Sequence, residues 1–136
     1  MPARPRPTTA VLLVVALGGA TGALLRYALD TWTSEGSSAG FPWTTFGINV
    51  VGSFLLGVLP TLPRVRRSPL LAPFLGPGVL GGFTTLSAVS EQTRSLLADE
   101  RIVTAATYAG GTLVACLLAV VAAERLGRPH RAEEDP

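Results

Sequence analysis

Lysine is absent from this chain of 136 residues, and cysteine and histidine occur once each. The lone Cys116 excludes an intramolecular disulfide and leaves the redox compartment unreadable. His130 lies in the polar tail, so no metal centre built from histidine and cysteine is expected. Charge is also scarce: 15% of residues are charged, against about 25% in a soluble domain. The formal net charge is only +2, and its arginines are scattered over several loops. A nucleic-acid surface needs them on one face with aromatics between them, so no nucleic-acid partner is expected. No nucleophile, base and orienting group fall together, which argues against an enzyme.

What the chain does have is apolar length. Hydrophobic residues make up 48% of it, and the mean hydropathy is +0.43. A membrane-spanning helix takes about 20 mostly apolar residues. Four such segments are predicted, at about 10–29, 43–62, 70–97 and 102–123, giving an all-α membrane protein with a four-helix transmembrane domain over residues 10–124. Residues 1–9 are predicted to be a disordered basic N-terminus, and 125–136 a polar C-terminal tail. The first apolar run is longer than the about 7–15 residues of a signal-peptide core, so it is read as a retained first span. Four short helices bury little core, and a working unit of this size calls for a second copy.

The third segment is unusual. Residues 76–90 carry Gly76, Gly78, Gly81, Gly82 and Pro77, then the hydroxyls of Thr84, Thr85, Ser87 and Ser90. Glycine and proline in series loosen the helical hydrogen-bond ladder. At membrane depth, loosened backbone is tolerated only inside protein or beside a water-filled cavity. The stretch is therefore either a kink between packed helices or an interior site. Other features carry the same pair of readings. Gly18 and Gly22 share a helix face and permit close helix approach, as a merely tolerant run of small residues also would. Asn49 and Ser53, one turn apart, are interhelical glue or site-lining donors. Tyr108, Thr112 and Cys116 form one weakly polar stripe, either a packing face or a hydroxyl track. Arg26 sits near the end of the first span, where it must snorkel or pair. Glu91 and Arg94, three apart, read as a surface pair at the membrane boundary. Trp32 and Trp43 flank a polar loop and suit the headgroup belt.

Four spans put both termini and the loop of residues 63–69 on one side. That side holds eight arginines (Arg4, Arg6, Arg64, Arg66, Arg67, Arg125, Arg128 and Arg131), and the other holds three, Arg26, Arg94 and Arg101. The positive-inside rule then places both termini in the cytoplasm of a cell-membrane protein.

Three blocks now come together: Gly18-Gly-x-x-Gly22-Ala23-x-x-Arg26-Tyr27, Pro42-Trp43-x-Thr45-x-x-x-Asn49-x-x-Gly52-Ser53-Phe54-x-x-Gly57, and Gly78-x-x-Gly81-Gly82-x-Thr84-Thr85-x-Ser87. In order and spacing they resemble the CrcB/Fluc fluoride channel family, over about residues 17–123. The resemblance implies four-helix subunits paired antiparallel in the membrane lipid, passing fluoride down its gradient and protecting the cytoplasm. It implies a third helix broken near the membrane centre, and a structural sodium ion held there by the backbone carbonyls of Gly81 and Thr84. Asn49, Leu86, Ser87, Val89, Tyr108, Thr112 and Cys116 then line the pore, and Gly18, Gly22 and Gly52 pack the helices.

The chain departs from the family after Thr84-Thr85. The family's Phe-Ser-Thr-Phe is here Leu86-Ser87-Ala88-Val89. Leu86 and Val89 carry no aromatic quadrupole and offer an anion no electropositive ring edge. Cys116 is a weaker donor than serine. The missing rings and the strong charge bias together suggest half of a heterodimer with an oppositely oriented homologue. A non-conducting or regulatory subunit is the alternative. A small multidrug transporter is a weaker one, since the first span has no acid before Asp30 to exchange protons for a cationic drug.

Overall fold

The structure, a computed structural model, describes residues 8–33 and 40–127. The expectations for the N-terminus before residue 8, for the tail from residue 128 and for loop residues 34–39 lie outside the described residues. All regular structure among the described residues is helical, and four helical runs are long and apolar enough to cross a membrane: Thr9–Thr33, Trp43–Thr61, Leu71–Ala98 and Ile102–Gly127.

The first run is a single helix, α1 (Thr9–Thr33). It passes the expected end at residue 29, and in the added turn the Thr31 and Thr33 hydroxyls donate to the Tyr27 and Leu29 carbonyls, each at 2.8 Å. The helix thereby takes up residues that hydropathy assigned to the loop. The second run is α2 (Trp43–Val58) followed by a 3₁₀ turn, Leu59–Thr61. The basic loop expected at 63–69 is instead a short helix, α3 (Pro63–Arg67), with proline at its first position. There the missing N–H costs nothing and the fixed φ suits the helix.

The third run changes its winding along its length. It opens with α4 (Leu71–Pro73), widens into a π-helical segment at Phe74–Leu80, tightens into α5 (Gly81–Phe83) and continues as α6 (Leu86–Ala98). Pro77 supplies the cause: it lacks an N–H and crowds the carbonyl four residues back. The ladder shifts by one residue, so that the Gly81 N–H reaches the Gly76 carbonyl five positions earlier. The fourth run is α7 (Ile102–Gly127). It overruns the expected end at 123 and takes in the first residues of the expected tail. Arg125 in its last turn suits the negative end of the helix dipole.

Small residues decide how the helices meet. α1 lies along the π-helical segment and α5. A Cβ at Gly18 would overlap the Phe74 carbonyl oxygen and sit 3.0 Å from the Gly78 Cα. One at Gly22 would overlap the Val79 carbonyl oxygen and sit 2.8 Å from the Phe83 nitrogen. α2 packs on α7 in the same manner, with Gly57 against Ala123. The true core is small: Val89, Leu96, Ala105 and Tyr108, with Phe41 and Phe46 against it. Outside it, leucines such as Leu12, Leu17, Leu24, Leu113 and Leu118 are more than half exposed, as a lipid-facing surface requires.

Two substitutions test this packing by thermal unfolding in detergent micelles. Gly22→Ala should destabilise by about 1–3 kcal/mol, since backbone rather than a flexible side chain blocks the new methyl. Gly19→Ala, which meets nothing within 4 Å, should be neutral or slightly stabilising. At the α6–α7 turn, Glu100 holds φ at 58°. Glu100→Gly should raise stability by about 1 kcal/mol, measured the same way.

Candidate functional site

Between α5 and α6 the helical run gives way at two residues. Thr84 (φ −76°, ψ 155°) and Thr85 (φ −151°, ψ 110°) are extended. An extended residue inside a membrane segment exposes main-chain groups that water cannot serve. Asn49 serves them from α2. Its Oδ1 accepts from the Thr85 N–H at 2.9 Å, and its Nδ2 donates to the Thr85 carbonyl at 3.4 Å and to the Thr45 carbonyl at 2.8 Å. One side-chain amide thus brackets Thr85 much as a neighbouring strand would. The Thr85 hydroxyl in turn caps α6, accepting from the Ala88 N–H at 3.1 Å, and pairs with the Ser87 hydroxyl at 3.0 Å.

These bonds have a second effect. In an unbroken helix the Thr85 N–H would serve the Gly81 carbonyl, and the Ala88 N–H would serve the Thr84 carbonyl. Both donors are diverted, to Asn49 Oδ1 and to Thr85 Oγ1. The Gly81 and Thr84 carbonyls lose their helical partners. Thr84 keeps its own hydroxyl on the Leu80 carbonyl at 2.9 Å.

Gly81 and Thr84 border a partly open groove of about 570 Å³. Asn49, Leu86, Val89, Thr112 and Cys116 line the same groove, from three other helices. Most of the residues singled out in the sequence therefore meet here, in different settings. Leu86 is 79% exposed at the lip, whereas Val89 is buried and doubles as a core residue. The Thr112 hydroxyl is turned back to the Tyr108 carbonyl at 2.6 Å. Gly52 lies in the wall, directly beneath the Thr84 methyl. Gly18 and Gly22 stand apart and hold α1 to the π-helical segment.

Ser87 and Tyr108 do not line the groove. Tyr108 is fully buried, with the Phe41 ring set edge-on at 5.3 Å. Its hydroxyl donates to Gln92 Oε1 at 2.5 Å, and Gln92 Nε2 donates to the Thr45 hydroxyl at 2.9 Å. A polar chain thus runs from Tyr108 through Gln92, Thr45, Asn49 and Thr85 to Ser87. Sequence reasoning passed over Gln92. Its signal was available: Val89, Gln92 and Leu96 lie three and four apart, so the glutamine shares the buried face of α6.

Arg26 also finds a partner. Its Nε donates to the Gly82 carbonyl at 3.4 Å, placing a guanidinium beside α5. Glu91 and Arg94 form the expected surface pair, with Nε to Oε2 at 2.9 Å and both side chains about two-thirds exposed. Among the described residues no cluster of histidine, cysteine, aspartate or glutamate stands ready for a metal ion. The groove residues carry oxygen in main-chain carbonyls, hydroxyls and the Asn49 amide.

Asn49→Leu should leave both main-chain groups of Thr85 without a partner, at about 1–3 kcal/mol each. The expected result is a loss of at least about 2 kcal/mol in thermal unfolding. Thr85→Ser, which keeps the cap, should stay within about 0.5 kcal/mol of the parent.

The family profile described as CrcB-like protein, Camphor Resistance (CrcB), matches residues 13–124. The chain is 48% identical over 117 residues to fluoride-specific ion channel FluC 1 of Streptomyces coelicolor, covering 85% of this chain and 75% of that one. It is 46% identical over 118 residues to fluoride-specific ion channel FluC of Thermus thermophilus, covering 85% and 91%. It is 45% identical over 125 residues to fluoride-specific ion channel FluC 2 of Nocardia farcinica, covering 88% and 87%. A profile match over most of the chain and identities of this size across nearly whole relatives establish that the chain belongs to the CrcB family of fluoride-specific ion channels.

Proposed function

We propose that the chain is one subunit of a fluoride channel in the cell membrane, passing fluoride passively outward and lowering its cytoplasmic concentration. The observation that carries this reading is the clamped break. Asn49 holds Thr85 extended, and the two carbonyls stripped of their helical donors border the same groove as the Asn49 amide. The names of the relatives supply the ion.

Fluoride is small and strongly hydrated, so it needs donors in exchange for water. Asn49 has two amide N–H groups to offer. One is held firmly by Thr45 at 2.8 Å; the other reaches Thr85 at only 3.4 Å. The second is the donor an anion can take most cheaply.

The Gly81 and Thr84 carbonyls suit a hard cation, which prefers oxygen ligands. In this reading they hold a structural sodium ion at the centre of a dimer. Bound there, the ion supplies a fixed positive charge that offsets the cost of bringing an anion into low dielectric. The groove is far larger than a fluoride ion, and an antiparallel second subunit would narrow it across the exposed Leu86. The arginine bias sets one orientation with both termini cytoplasmic, so the partner is an oppositely oriented homologue that contributes the aromatic rings this chain lacks. A second reading, a non-conducting partner subunit, is favoured by one observation: the groove-lip position holds Leu86, which gives an anion nothing to bind.

Fluoride efflux from liposomes, followed with a fluoride electrode, separates the readings. The chain reconstituted with an oppositely oriented homologue should release fluoride quickly and retain chloride. Equal flux with and without this chain would reject it as a pore half. Robust efflux from the chain alone would retain the channel and remove the heterodimer. Preparing the protein with a large organic cation in place of sodium should lower the flux.

Ring restoration gives a sharper test in the same assay. Leu86→Phe has room at the lip and should raise the flux. Val89→Phe enters a filled core and should cost about 1–3 kcal/mol of stability instead.

A further inference from the structure

We propose that the arginine turn between the second and third spans, Arg64, Arg66 and Arg67 on α3, binds the headgroup phosphate of an anionic phospholipid. α3 is a fixed platform. Val65 is only 5% exposed and anchors the turn from beneath. Pro63 starts it and the extended backbone of Ser68 ends it, while the Ser68 hydroxyl accepts from the Leu71 N–H at 3.1 Å and ties the turn to α4. The three arginines flanking Val65 all point outward and are exposed. None has an ion-pair or hydrogen-bond partner among the described residues; the one ion pair there joins Arg94 to Glu91, beyond the break.

The surroundings select the ligand. α3 joins two spans, so it must lie at the bilayer boundary. Gly127, the last residue of α7, packs against Thr61 just before α3, which brings Arg125 to the same end. Among the described residues, Glu124 is the only acid in that group. The opposite end of the bundle carries Asp30, Asp99 and Glu100 beside Arg101. Leu62 and Leu70 flank the arginines at 43% and 40% exposure and offer apolar contact to acyl chains. A guanidinium takes phosphate in a fork of two hydrogen bonds. A zwitterionic lipid presents the same phosphate beside a compensating ammonium, so the turn prefers an anionic lipid. This inference is independent of which ion the groove conducts.

Native mass spectrometry of the full chain, released from micelles with phosphatidylglycerol or phosphatidylcholine added, tests it. Phosphatidylglycerol should bind at least about tenfold more tightly than phosphatidylcholine. Replacing the three arginines with glutamine (R64Q, R66Q, R67Q) should weaken phosphatidylglycerol about a hundredfold. Thermal stability should not change, because the side chains have no partner to lose among the described residues. The lysine triple (R64K, R66K, R67K) should retain most of the binding, and binding by the parent should fall as ionic strength rises. Equal affinity for the two lipids, a glutamine triple that binds like the parent, or binding indifferent to salt would each overturn the proposal. So would displacement of phosphatidylglycerol by millimolar inorganic phosphate, which would make the turn a site for free phosphate.

Discussion

The structure depends on one side chain meeting one backbone residue. Asn49 and Thr85 exchange the hydrogen bonds that let an extended residue exist inside a membrane segment. Without them the break would expose main-chain groups with no water to serve them, and the third run would have reason to close into a continuous helix. The rest follows in sequence. With the break held open, Thr85 caps α6, the N–H groups of Thr85 and Ala88 are spent on side chains, and the carbonyls of Gly81 and Thr84 lose their usual donors. Asn49 is therefore a structural clamp whose side chain also borders the groove.

The polar groups form a connected layer. Tyr108, Gln92, Thr45, Asn49 and Thr85 come from three helices and the break before α6, and each bond orients the next. Such a chain is costly if one member is missing, because the remaining groups stay desolvated. It also separates the groove from the aromatic cluster of Phe41, Trp43 and Phe46 on the other side. The groove side is lined largely by small or apolar residues, so the few polar groups that reach it dominate its chemistry.

The four spans were legible because hydropathy and length speak directly to lipid. The interruption near Thr84 was legible because glycine, proline and hydroxyls stood where a plain span needs none. The π winding was not, since it depends on how the chain absorbs the missing N–H of Pro77. The pairing of Asn49 with Thr85 spans 36 positions and leaves no local trace. The stripe of Tyr108, Thr112 and Cys116 divides for a geometric reason. Four residues overshoot one helical turn by about 40°, so Tyr108 turns under Phe41 while Cys116 faces the groove. Gln92 was missed because a polar residue near a helix end reads as surface until its neighbours are known. The helix extensions to Thr33 and Gly127 run through polar residues that hydropathy assigned to the loop and the tail.

The π-helical segment has a further meaning as a phase setter. Each residue of an α-helix advances about 100° around the axis. Widening the turns over Phe74–Leu80 changes how many residues fit between two faces of the run. Within it Gly78 meets Gly18 of α1; beyond it Thr85 meets Asn49 of α2. Those two appointments lie on different neighbours and must be kept by a single strand of chain. The wide winding and the extended residues after it together set the phase between these two contacts. The distance from Gly78 to Thr85 is thus fixed in whole residues, while the angle between their partners is adjusted by winding.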